Sequence, residues 1–446
     1  MNSNQIRQQF LDFYAAREHQ ILPAEPFVVP MTYLNDISRT NLWTLPFYPL
    51  SLGEKHPPEN HSATLQKYIS PNIQVLTQRH PTFFEMLTHW GDYSKQQALT
   101  WAWELCTEIY QIGSSRLVVS VDERDTETLA IWRDKIGVPE QQIIISRWNS
   151  WRPNAGGHCG ISTRIHYDCY PERGYESAAL EEDIEFRSKS KEEYDREDRI
   201  GHILSEEDLR FLSFYHLVFM ESEASQYGNQ RTPLKTNYMA CGMDLERLAT
   251  ILQGCSSFYQ TDLILPIIRR AAKVAGVDYD RADSSTKIAL RLIADHMRSV
   301  VHLKADYYYL KPRYNGGNFM QFSGLNFINK LIQMWIMRIA LYSQILGIEE
   351  PFVELLIDKI VTWGEAFYPH LRQQQQEIVG YLTQQESYCW SMLEGDRKKG
   401  IVSGYLLDKL FRTYNCYRQD IERWAEKKGI TIDWDGYNLM LGPEID

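Results

Sequence analysis

Arg79 to Leu87 reads RHPTFFEML, and from Phe83 the stretch alternates, with Phe84 and Met86 on one face and Phe83, Glu85 and Leu87 on the other. A period of two is the mark of a strand, and phenylalanine favours that state. Pro81 has no N–H to give a ladder, which confines it to the strand's start. The reading is a strand with an arginine at its mouth and a carboxylate, Glu85, amid aromatics. Alone, such a nonapeptide also fits an ordinary core strand with a solvated arginine. Residues 242–247 change that balance. They read GMDLER, and Leu245, Leu248, Ile251 and Leu252 continue them as an apolar stripe ending at Gly254. The spacing predicts a helix from 242. A glycine at a helix start, with Arg247 one turn in, is a place to hold a phosphate.

A chain of 446 residues with 43% apolar and 24% charged residues can bury a full core and has room for two or three domains. No apolar run reaches the roughly 18 residues that span a bilayer, and MNSNQIRQQF lacks the basic start and apolar segment of a signal peptide. Seven cysteines without repeated spacing fit reduced thiols, so a cytoplasmic protein with no membrane partner is expected. A net charge of −11 opposes non-specific binding to a polyanion, though it allows a local RNA-binding patch.

Residues 4–17 read as an amphipathic helix with Asn2 or Ser3 as its cap. Further helices are expected over 95–110 and 126–136. Strands are expected at 116–121 (RLVVSV), 142–146 (QIIIS), 164–170 (RIHYDCY) and 216–220 (HLVFM). The alternation of the two argues for a mixed domain of strands and helices. The charged segment of about 171–209 reads as a solvated insertion. Beyond residue 260 the pattern turns helical throughout. His158, Cys159, His166 and Cys169 match no compact zinc spacing, so no protein metal site is expected.

RHPTFFEML and GMDLER, in this order, resemble motif 2 and motif 3 of the class II aminoacyl-tRNA synthetases, in the wording of the alanyl-tRNA synthetase family, which reads RHHTFFEML and GMGLER. IRQQFLDFY at 6–14, WAWEL at 101–105, HLVFM and RLIADHMRS at 291–299 echo that family in the same order. The resemblance implies an α+β fold: an antiparallel sheet domain flanked by helices over residues 1–258, then an all-α domain over 259–446 like the family's tRNA-recognition region, with no editing module. It implies an ATP-dependent ligase that activates an amino acid as its adenylate with Mg²⁺. Arg79 and Arg247 would act on the triphosphate, and Phe84, Glu85, Trp90 and Gly242 would complete the ATP site, with Trp90 stacking on adenine. Trp151, Arg164, Val218, Ala240, Gly242 and Asp244 would form the amino-acid pocket.

The departures from the family pattern concern charge. Ser70 stands where an arginine grips the α-phosphate, with Lys67 the nearby cation. Ala240 replaces an aspartate that takes the substrate's ammonium, Asp244 replaces a glycine, and Arg164 replaces a glutamate. The family's basic run after the RLIADHMRS helix is absent from 315–341, whose cations are Lys330 and Arg338. These changes put tRNA in doubt as acceptor and admit a carrier protein or a small amine. They also admit a second class of function, a catalytically degenerate relative that binds a metabolite, RNA or protein.

Overall fold

In the computed structural model the described residues are 1–24, 26–28, 43–44, 61–69, 81–146, 149–151, 157–174, 210–224, 231–310 and 319–441. Arg79, Ser70 and 175–209 of the charged segment lie outside them. The chain divides into two compact units, Met1–Val28 with Asn41–Thr261, and Asp262–Asp446. Among the described residues no helix is long and apolar enough to cross a membrane.

The first unit is built on a nine-stranded mixed sheet. Its strands are β1 (Gln20–Ile21), β4 (Ser62–Ile69), β5 (Phe83–Gly91), β6 (Leu117–Asp122), β7 (Ile143–Ser146), β8 (Ser150–Trp151), β9 (Gly157–Asp168), β10 (Phe211–Ala224) and β11 (Arg231–Asp244). Two further short strands, β2 (Phe27–Val28) and β3 (Trp43–Thr44), pair with each other. The order across the sheet is β1-β4-β5-β11-β10-β9-β6-β7, with β8 on β9. The centre is antiparallel, as the resemblance implies, but the edge pairings β1–β4 and β6–β7 are parallel.

Helices α1 (Ser3–Ala15), α2 (Lys95–Glu104), α3 (Thr126–Ala130) and α4 (Leu245–Leu252) belong to the same unit. Helix α1 starts at a capping box, with the Asn2 side chain accepting from Gln5 N and the Gln5 side chain answering Asn2 N. Its apolar stripe of Ile6, Phe10, Phe13 and Tyr14 is buried. Tyr14 Oη lies 2.8 Å from His89 Nε2 and 2.7 Å from Tyr215 Oη, so a polar knot locks α1 to β5 and β10.

One expectation needs correction here. The sequence pattern starts a helix at Gly242, whereas β11 runs through Gly242 to Asp244 and α4 begins at Leu245. Asp244 is the cap, its side chain accepting from Arg247 N at 2.9 Å. An aspartate before an apolar periodic run is a helix start, and the glycine two residues earlier is a strand residue.

The second unit is helical apart from the two-residue strands β12 (Ile401–Val402) and β13 (Thr431–Ile432). Its helices are α5 (Leu265–Val274), α6 (Ser284–Leu310), α7 (Phe319–Ile345), α8 (Glu354–Gly364), α9 (His370–Gln373), α10 (Gln375–Arg397), α11 (Gly404–Asp408), α12 (Arg418–Lys428) and α13 (Trp434–Leu441).

Candidate active site

Register decides which side chains share a face, because residues directly opposite in an antiparallel pair point the same way and successive residues point oppositely. One row runs Thr64–Thr88–Gly242–His216–Arg164–Ser120 across β4, β5, β11, β10, β9 and β6. The next row on that face is Ser62–Trp90–Ala240–Val218–Ser162. On the other side of the first row lie Gln66, Met86 and Asp244, and beyond them Tyr68 opposite Phe84. Phe84, Gly242, Ala240, Val218, Arg164 and Asp244 therefore face one way, although they come from four strands.

Exposure on this face follows a track. Phe84, Tyr68, Met86, Asp244, Gly242, His216 and Arg164 are partly exposed, while Thr64, Gln66, Trp90, Ala240, Val218 and Ser162 are buried. Tyr68 and Phe84 stack at one end, with centroids 5.2 Å apart and planes 14° apart. Gly242 keeps the middle low; a Cβ there would fall 2.6 Å from the Met86 Cε methyl. At the other end Trp151, held opposite Gly160, packs against a cluster of Val218, Met220, Tyr238 and Ala240. Three of the expected amino-acid-pocket residues thus meet in one apolar wall.

Arg247 stands at the side of the track. Its Nη1 donates to Ser213 O at 2.5 Å, and its Nε lies 3.3 Å from Asp244 Oδ2. Among the described residues Arg164 has no such partner: its Nε is buried without an acceptor, and burial together with the charge of Arg247 lowers its pKa. Burial and then the neighbouring guanidiniums push His166 down to about 3. Burial, Arg164 and His166 likewise hold His216 well below the usual histidine range. Both imidazoles are neutral near pH 7, and the fixed positive charge belongs to the arginines.

Two expected ATP contacts are placed elsewhere. The Glu85 side chain points to the opposite, helix-covered face, where it takes a bidentate pair from Arg7, Nε to Oε2 at 2.9 Å and Nη2 to Oε1 at 2.6 Å. Glu246 accepts from Glu85 N at 2.9 Å on the same side. Lys67 is opposite Glu85 in register and shares that buried face, so it does not stand in for a phosphate-gripping arginine on the track. Trp90 shares the face of the track but is fully buried, a packing position with no surface for an adenine ring. Sequence reasoning passed over His216, taken as part of a core strand, although its period of two with Val218 puts both on one face. A separate cavity of about 470 Å³ touches Arg247 from the helix-covered side, with Arg116, Tyr167, Tyr170 and Leu212 on its wall. Among the described residues no group of three or more His, Cys, Asp or Glu side chains is arranged to hold a metal.

The family model of the class II tRNA synthetases (A) matches residues 5–442. The chain belongs to that family. Among curated proteins, this class II chain is similar to alanine–tRNA ligases of cyanobacteria. It is 35% identical to that of Trichormus variabilis over 466 residues, covering 100% of this chain and 48% of the relative. The ligase of Microcystis aeruginosa is 35% identical over 463 residues, covering 99% and 48%. That of a Nostoc species is 36% identical over 461 residues, with the same coverage. The chain thus spans about half the length of the curated relatives it matches. Their names specify alanine and tRNA, and nothing in them points to a carrier protein or an amine as acceptor.

Proposed function

We propose that this class II chain activates an amino acid with ATP. A carboxylate oxygen of the amino acid attacks the α-phosphorus, the bond to pyrophosphate breaks, and an aminoacyl adenylate and pyrophosphate result. Such chemistry is mostly positioning and charge neutralisation. The observation that carries the reading is the track. It joins Phe84 at one end, Arg247 at its side and the Trp151–Val218–Ala240 wall at the other, the order in which a nucleotide and an acyl group would lie. Arg247 holds the γ end of the triphosphate and Gly242 lets ligand atoms close to β11; Arg79, outside the described residues, has the triphosphate role only by its place in the family motif. Mg²⁺ bound with the nucleotide would neutralise phosphate charge in this chemistry. The relatives are named for transfer to tRNA; the proposal for this chain is the activation half of that reaction.

One observation favours the alternative of a binding module without turnover: Asp244 places a carboxylate on the track beside Arg247. Two measurements separate the readings. Calorimetry should show ATP binding in the presence of Mg²⁺, weakened at least tenfold in Arg247→Ala, the effect of about 1.4 kcal/mol. ATP–pyrophosphate exchange across a panel of amino acids should show turnover. Absence of ATP binding at millimolar nucleotide would sink the proposal.

A further inference from the structure

We infer that the acyl substrate carries an anionic side chain and that Arg164 is the residue that selects it, an inference that rests on the activation reading above. Arg164 ends the partly exposed track. It stands in β9, next to His216 of β10 and three strands from Phe84 of β5. At about 4.8 Å per strand, with about 3.4 Å per residue for the four positions between Phe84 and Thr88 of Arg164's row, that separation is roughly 20 Å. Arg164 therefore faces the acyl end of the track and not the nucleotide end.

Among the described residues nothing answers its charge. The row beside it, Ser162, Val218 and Ala240, is neutral and buried, and Trp151 closes over Val218 and Ala240. Asp244, the one carboxylate among the described track residues, is two strands away and already serves Arg247 and the cap of α4. The buried Nε of Arg164 has no acceptor, and Arg247 lies close enough for its charge to be felt there. The nearby imidazoles of His166 and His216, kept neutral by burial, supply no counter-charge. A guanidinium desolvated in this way is costly until an anion pairs with it. A methyl or hydroxyl side chain leaves that cost in place. A carboxylate or phosphate removes it through a charge-assisted, bidentate contact.

The test is ATP–pyrophosphate exchange by the full chain with alanine, serine, asparagine, glutamine, aspartate, glutamate and O-phosphoserine, alongside ATP titration by calorimetry. At least one acidic amino acid should drive exchange with kcat/KM at least tenfold above alanine and above its own amide. Arg164→Gln should raise the KM for that acid at least tenfold with a much smaller change in the KM for ATP, and Arg164→Lys should recover part of the loss. If Arg164→Gln fails to fold, as judged by circular dichroism, the acid-against-amide comparison in the wild-type chain decides. Exchange with neutral amino acids alone overturns the inference and leaves amino-acid activation standing. An Arg164→Gln effect on ATP in place of the amino acid overturns it by assigning the residue to the nucleotide. No exchange with any amino acid, with ATP still bound, removes the activation reading and this inference together.

Discussion

Replacing Asp244 by asparagine separates two jobs that one carboxylate does. Its Oδ1 accepts from Arg247 N and caps α4, while its Oδ2 lies 3.3 Å from Arg247 Nε. Asparagine caps about as well as aspartate, so Asp244→Asn keeps the helix start while it removes the charge and replaces the oxygen facing Arg247 by an amide donor. The pair is mostly buried, with 21% of Arg247 and 14% of Asp244 exposed, but its Nε–Oδ2 contact is long at 3.3 Å, so its net worth is on the order of 1 kcal/mol. Freeing Arg247 for a triphosphate thus returns up to about 1 kcal/mol, or roughly a fivefold fall in the Kd for ATP. Loss of a negative charge beside the phosphates acts in the same direction. Asp244→Ala frees Arg247 equally but loses the cap, at about 0.5–2 kcal/mol of stability. Calorimetric titration with ATP and Mg²⁺, paired with thermal melts, reads both effects. The asparagine variant should bind ATP roughly two- to fivefold tighter with a Tm lowered by no more than a few degrees, and the alanine variant should bind tighter but melt lower still. Weaker ATP binding by the asparagine variant would refute the reasoning, since it would make the carboxylate itself a ligand contact.

Two further outcomes follow from the structure. Arg7→Ala leaves the Glu85 carboxylate buried without its bidentate partner and should cost the first unit about 3–5 kcal/mol. Arg7→Met combined with Glu85→Leu should recover most of it in denaturant titrations, and a single-variant cost under about 1 kcal/mol would contradict the pair's structural role. For tRNA, the cations of α6 and α7 are Lys287, Arg291, Arg298, Lys304, Lys330 and Arg338, of which Arg298, Lys304 and Arg338 are buried. So few exposed charges leave little counterion release for gripping an RNA duplex. Gel shifts with total tRNA at low salt should therefore show no sub-micromolar binding specific to alanine tRNA, and finding it would reverse this expectation.

Local pattern made β5 legible, because alternation separates Phe84 and Met86 from Glu85 in the sequence itself. It did not reveal what Glu85 does, since its partner Arg7 is 78 residues away in the chain. The same limit applies to the track. Gly242, His216 and Arg164 form one row only after β11, β10 and β9 have paired, and register between distant strands is fixed by the buried face and not by any one segment. The misplaced start of α4 has a local cause. The apolar stripe begins at Leu245, and the cap immediately before it was readable as Asp244, but the phosphate-site expectation attached to Gly242 pulled the boundary three residues early. In the second unit the long apolar periods gave the helices, while the break at Gln374 between α9 and α10 falls inside a glutamine run that carries no turn signal.

On the proposed reading, the three positions whose charge departs from the family pattern, Ala240, Asp244 and Arg164, are coupled by where they lie. Ala240 sits in the buried row beside Val218, so the described residues place no carboxylate there for a substrate's ammonium. Asp244 is on the same face but four residues along β11, roughly 13 Å away at about 3.4 Å per residue, and it is engaged with Arg247. It does not replace a carboxylate at 240. Meanwhile Arg164 adds a cation that the wall leaves unanswered. A zwitterion as small as alanine meets this pocket with an unpaired ammonium, at a cost of roughly 2–5 kcal/mol, and offers nothing to Arg164. With about six heavy atoms, each worth about 1.5 kcal/mol at best, it has little binding energy with which to offset that loss. An acidic amino acid meets the same unpaired ammonium but pairs its second anion with Arg164, so a gain and a loss of comparable size oppose each other within one ligand. Discrimination should therefore follow side-chain charge more than side-chain volume, and glutamate against glutamine, equal in size and different in charge, is the comparison that isolates it.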